Sequence, residues 1–186
     1  MALPIDLAQK QAAEIAKAEA FSFDFKKFES EMVGGDLLTL IIRAHLYVEH
    51  ALIQMLCEAM TYPNEEVIRR LNFPSKLELC IAFALIPDEW KPAVLKVNEM
   101  RNRMAHRLEA LFLADERLNL FRMFPEPVQK LALEEVGETD PKRLSWGHVL
   151  RVLPIAMDIW RQQKAVERVR GKISHERLRR VLDNKG

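Results

Sequence analysis

The chain has 186 residues, 49% of them hydrophobic and 30% charged, with only 6 glycines. That length supports one sizeable core and is short for two domains, while low glycine with abundant Leu, Ala, Glu, Lys and Arg argues against a β-rich chain and for an all-α one. A formal net charge of +1 excludes a chain that is basic or acidic as a whole, the mark of a general nucleic-acid or membrane binder.

From Ile5 to about Ala20 the spacing predicts a moderately amphipathic helix, with Ile5, Ala8, Ala12, Ile15 and Ala16 on one face. The segment Phe21 to Phe28 carries four aromatic residues at spacings of two and three, and is expected to be a connector whose rings plug the edge of the core. Gly34-Gly35 breaks the chain, and Asp36 offers an N-cap to a long helix reaching about Met60. Its apolar residues cover more than half of its circumference, so it is the expected central helix. Arg43, His45, Glu49 and His50 interrupt it, and the four-residue spacing makes His45 and Glu49 neighbours on one face.

Tyr62-Pro63-Asn64 reads as a turn, followed by a short helix from Glu65 to Leu71 and another from Pro74-Ser75 to Ile86. Asp88 is the expected N-cap of a helix that runs through Trp90, Val94 and Met100 to about Leu108. Further helices are expected over Asp115–Phe124 and 128–136. A last long helix starts near Leu144, with Pro154 inside it as the expected kink or gap in its hydrogen bonds. Residues 161–186 hold nine Lys or Arg against three acids, a net +6 that leaves −5 for residues 1–160. Such a basic tail reads either as a solvated helix or as an electrostatic recruiter of RNA or DNA. The expected organisation is a single domain over 1–186: an N-terminal helix and connector to 33, a core over 34–160, and a basic extension over 161–186.

Cys57 and Cys80 lie in apolar surroundings and match no metal or redox spacing, so both are expected as buried thiols in a reducing compartment. No basic start precedes an apolar run, and no stretch reaches the roughly 18 uninterrupted apolar residues of a membrane span, so a soluble cytoplasmic protein without a membrane partner is the expectation.

One stretch stands apart. Asn98-Glu-Met-Arg-Asn-Arg-Met-Ala-His106 sets Arg101, Asn102, Arg103 and His106 inside a helical pattern. On a regular helix Asn98, Asn102 and His106 stack in one row, with Arg101 about 100° off it and about 140° from His106. One small ligand does not comfortably reach both Arg101 and His106 unless the helix bends or ends, or a second copy supplies matching groups. Taken by itself the cluster reads first as a salt-bridge patch at a helix end. Its residue types also suit RNA cleavage without a metal or cofactor: imidazole can move the proton of a ribose 2′-hydroxyl or of the leaving 5′-oxygen. Arginine meets the charge that builds on phosphorus, and asparagine orients either group. No metal-ligand spacing, glycine-rich phosphate loop or Ser/His/Asp arrangement is present.

Arg101-Asn102-x-x-x-His106 resembles the signature of HEPN domains, found in prokaryotic toxins, phage-defence and CRISPR-associated nucleases. A long apolar helix carrying Glu49 and a Phe-x-x-Lys-Leu segment from Phe73 to Leu77 precede it, so the resemblance spans roughly Asp36 to Leu111. It implies an all-α, HEPN-like helical bundle that forms a homodimer with two motifs facing one cleft. Its nuclease members cut RNA without metal and leave a cyclic phosphate. Carried over, Arg101 would stabilise the scissile phosphate, Asn102 orient the site, His106 act as general acid or base, and Glu49 steer Arg101 or His106. Arg103 and Arg107 would be the RNA contacts beside them. A toxin of this kind implies a neutralising antitoxin partner. The alternative on the same fold is a non-catalytic regulator or interaction module similar to the mannitol operon repressor. The charged Arg107 and Glu109 beside the motif and the acidic body of the chain depart from the nuclease pattern.

Overall fold

The structure is a computed structural model that describes residues 5–106 and 114–183. Among these residues all regular structure is helical, with no strand, so the fold is all-α. The chain divides into two compact units, Ser22–Asp158 and Met1–Phe21 with Ile159–Gly186.

The smaller unit holds α1 (Ile5–Glu19) and the C-terminal part of the last helix. Ala18 and Ala165 are buried, and the guanidinium of buried Arg161 donates to the Ala20 carbonyl, one of the last carbonyls after α1.

The larger unit is built around its most apolar helix. The aromatic segment enters it first: Phe28 is fully buried, with Phe23 and Tyr47 rings 5.2 and 4.7 Å away. Its last residues are helical, however, opening α2 (Phe25–Val33) with Asp24 as N-cap. A connector read from aromatic spacing alone misses that cap. Gly35 then takes φ +117°, a conformation that side-chain-bearing residues rarely adopt, and turns the chain into α3 (Leu37–Ala59). Asp36 caps α3 by accepting from Thr39 N at 2.9 Å. By length and composition α3 is the one described helix apolar enough to cross a bilayer. Here it is a core helix with ten buried residues, and Arg43, His45, Glu49 and His50 interrupt it.

Four helices pack on α3: α2, α4 (Glu65–Arg70), α5 (Phe73–Ala82) and α6 (Lys91–His106). α4 begins with Glu65 and Glu66 and ends with Arg69 and Arg70, each pair four apart and ion-paired, an arrangement that also suits the helix dipole. α5 stops at Ala82, short of the expected Ile86. Ala84 adopts φ +52° there, and its N–H closes a turn onto the Ile81 carbonyl. Asp88 is the first residue of a 3₁₀ turn leading into α6 rather than the N-cap of an α-helix.

α7 (Ala114–Arg122) packs on α6, and α8 (Glu126–Glu134) buries Val128 and Ala132. α9 (Trp146–Asp183) is one helix that continues through Pro154 and the basic tail. Pro154 has no N–H to give the Leu150 carbonyl, but its neighbours from Val152 to Met157 are buried, and packing holds the helix there. Asp158 is fully buried, and its carboxylate accepts from the Ser22 hydroxyl at 2.5 Å, joining the two ends of this unit. The thiols are free. Cys80 is buried, with its pKa pushed up to about 12 by burial, whereas Cys57, expected to be buried, is only half-buried.

Candidate functional site

α3 and α6 lie side by side, α5 packs on both, and α4 packs on α3. Where they meet, a cleft of about 420 Å³ opens. α3 contributes His45 and Glu49, and α6 contributes Asn98, Arg101 and Asn102. Arg69, Asn72, Phe73 and Lys76 line it from α4 and α5.

The four-residue intervals explain the α3 and α6 faces. His45 and Glu49 share one row, and Asn98 and Asn102 another. α6 remains helical to His106, one turn past Asn102, although the His106 side chain lies outside the described residues. Arg107 lies outside them as well.

His45 is 6% exposed and forms part of the floor. Its Nε2–H donates to Asn98 Oδ1 at 3.1 Å, and its ring stacks on Phe73 with centroids 4.6 Å apart. Burial pushes the His45 pKa below its ordinary value, opposed by the Asn98 bond and the Glu49 charge, while Arg101 and Lys76 deepen the depression. The imidazole is therefore neutral at physiological pH.

Glu49 shares its helix face with His45, but its ion pair runs to Lys76, whose Nζ donates to Glu49 Oε1 at 2.7 Å. Lys76 is 1% exposed and also donates to the Arg69 and Leu71 carbonyls at 3.1 and 2.7 Å. All three donors of the ammonium are thus used, as a buried cation requires.

Arg101 is exposed at the mouth and donates from Nη1 to Asn102 Oδ1 at 3.1 Å. The neighbouring acid Glu99 pairs with Lys96 at 2.8 Å. Among the described residues no carboxylate pairs with Arg101, so the cleft presents a guanidinium oriented by an amide. Arg69, across the cleft, is held by Glu65 at 2.5 Å. Arg103 does not line the cleft: it pairs with Glu116 of α7 at 2.5 Å. The residue beside Arg101 and Asn102 in sequence therefore serves the packing of α6 on α7.

Arg101, Asn102 and Glu49 are thus brought to one cleft, and Arg103 is not. Sequence reasoning left out His45, Asn98 and Lys76. The signals for them were the His45-to-Glu49 interval, the Asn98-to-Asn102 interval and the Phe-x-x-Lys-Leu segment, whose Phe73 meets His45 and whose Lys76 meets Glu49. Among the described residues no group of three or more His, Cys, Asp or Glu is placed to hold a metal ion. In chemical terms the cleft can bind a phosphate with Arg101 and orient it with amides. Comparison with family models, with curated proteins and with solved structures finds no match to this chain.

Proposed function

We propose that this protein is a HEPN-type, metal-independent endoribonuclease, acting as a homodimer in a cytoplasmic toxin–antitoxin, phage-defence or stress system. The observation that carries the reading is Arg101: exposed at the mouth of a polar cleft, held by Asn102, and joined to no carboxylate among the described residues. Of the three acids that could tie up Arg101, Glu49 and Glu99 are engaged by lysines and Glu109 lies outside the described residues; within the cluster it is Arg103 that is ion-paired, to Glu116.

In this reading Arg101 binds the scissile phosphate and stabilises the charge that builds on its oxygens, with Asn102 fixing the guanidinium. His106 serves proton transfer: a base takes the 2′-hydroxyl proton, the 2′-oxygen attacks phosphorus, and the 5′-oxygen leaves with a proton supplied by an acid. The products are a cyclic phosphate and a 5′-hydroxyl. A second copy supplies the partner acid or base, which removes the difficulty of about 140° between Arg101 and His106 on one helix. Glu49 keeps Lys76 in place and sets the field at His45, a supporting role rather than one on Arg101.

A different observation favours the second reading, a non-catalytic regulator or interaction module on this fold. Leu38, Ile42 and Leu46 of α3, each four residues from the next, are 43, 40 and 56% exposed. Such a row on a core helix is a surface for a protein partner.

Cellular RNA incubated in excess EDTA separates the two. The wild type is expected to cut it and leave cyclic-phosphate ends. Arg101→Ala and His106→Ala should each lose that activity, the histidine variant by about 10²- to 10⁴-fold, the usual worth of proton transfer. RNA left intact by all three proteins rejects the nuclease in favour of the regulator, and a fully active His106→Ala removes His106 from the site.

A further inference from the structure

We infer that the C-terminal part of α9 carries a second, separate RNA-binding surface: a stripe of cations for the phosphate backbone. Lys164, Arg168, Lys172, His175 and Arg179 follow at intervals of four, four, three and four residues. α9 is helical over the whole stretch. At about 100° per residue those intervals keep the five side chains within about 80° of one another, along about 22 Å of helix. Composition alone shows a basic tail; the helix sorts it, setting these five residues along one side while Arg170 falls nearly opposite them.

Three features give the row a direction and a partner. Val166, Val169 and Ile173 fall on the far side of the helix and are partly buried, whereas Lys172, His175 and Arg179 are exposed. Lys164 has an acid of its own, Glu167 at 2.9 Å, and Arg168 is engaged as well, but among the described residues no ion pair or hydrogen bond reaches Lys172, His175 or Arg179. Lys172 and Arg179 are thus open for a polyanion laid along the row to engage. Phosphates do so with release of their condensed counterions, a gain that grows with each cation engaged.

An anionic membrane would need the apolar side of the helix for insertion, and that side is partly buried here. Exposed Leu178 and Leu182 are too few to replace it. The choice of RNA among polyanions rests on the function proposed for the cleft; the charge argument does not.

The test is fluorescence anisotropy of a labelled single-stranded uridine RNA in EDTA over a series of KCl concentrations. The full chain is used throughout, with His106→Ala in the background so that the RNA stays whole. One variant removes the row by Arg168→Gln, Lys172→Gln and Arg179→Gln. A second removes the same charge from exposed positions in the other unit by Lys26→Gln, Arg122→Gln and Lys130→Gln. The row variant is expected to bind at least tenfold more weakly at low salt. Its plot of log affinity against log salt should be shallower by about 2, since each single-strand phosphate contact contributes about 0.7. The second variant should keep the slope of the parent.

Equal loss in both variants would mean that only net charge matters, and no loss in either would mean that the row is not used. Either result overturns the stripe. Vesicles of phosphatidylserine and phosphatidylcholine provide the other arm: vesicle binding lost in the row variant, with the RNA slope unchanged, assigns the surface to lipid and overturns it too. Row-dependent binding in a protein whose wild type cuts no RNA would reject the nuclease while leaving the stripe in place.

Discussion

His45 shows what burial does to a titratable group beside a reactive cleft. In the unfolded chain it takes up a proton near the ordinary 6.5, whereas the folded protein resists protonation because the ring is buried, an effect that the Asn98 hydrogen bond only partly offsets. Below that pH the unfolded state binds more protons than the native one, so stability falls as pH falls. The contribution of neutral His45 is complete above about 6.5 and is lost on acidification. Thermal melts between pH 5 and 8 are therefore expected to fall more steeply in the wild type than in His45→Gln; parallel curves would show that His45 does not carry the dependence. The interval from His45 to Glu49 could be read from sequence, but not the partner: Asn98 is 53 residues away. Arg103 failed in the opposite direction. A cation two residues from a motif arginine invites a functional reading, yet two residues along a helix are about 200° around it, and that turn sends Arg103 to Glu116.

At the scale of elements, Lys76 is the connection that shapes the cleft. One buried ammonium joins α5 to Glu49 on α3 and to two carbonyls at the end of α4. Those carbonyls belong to a helix terminus, where no amide of α4 can reach them. Lys76→Met would keep most of the side-chain volume but leave a carboxylate and two carbonyls without their donor. The expected cost is about 2 to 3 kcal/mol, below that of a fully buried pair because Glu49 keeps some contact with water. Urea denaturation measures it, and adding Glu49→Gln should recover part of the loss; a Lys76→Met protein as stable as the wild type would mean that the connection is dispensable. Helix starts marked by capping residues were legible in advance, as at Asp36. Ends and irregular entries were less so: Asp88 looks like a cap and opens a 3₁₀ turn, because the same short acidic side chain serves both.

At the scale of the whole chain, the larger unit holds its own core of α3, its neighbours and the first turns of α9. A fragment of residues 22–158 is expected to remain helical and to melt cooperatively, with His45 still protected and the α9 stripe absent. Circular dichroism checks this, and a non-cooperative melt would show that the two units depend on one another for folding. The exposed row of Leu38, Ile42 and Leu46 stays on this fragment, so an association through that row should survive the truncation and be visible by sedimentation.

From the sequence alone come the all-α class, the central position of the Leu37–Ala59 helix, its cap, and the identity of the polar residues on α6. Each is a local property, set by periodicity and by side chains within a turn or two. Only the tertiary structure decided that Glu49 belongs to Lys76, that His45 is a neutral floor residue bound to Asn98, that Arg103 faces α7, and that the basic tail continues α9 as one helix. Those outcomes depend on which distant residue satisfies a buried polar group. Several partners have the right chemistry, and only packing brings one of them within bonding distance.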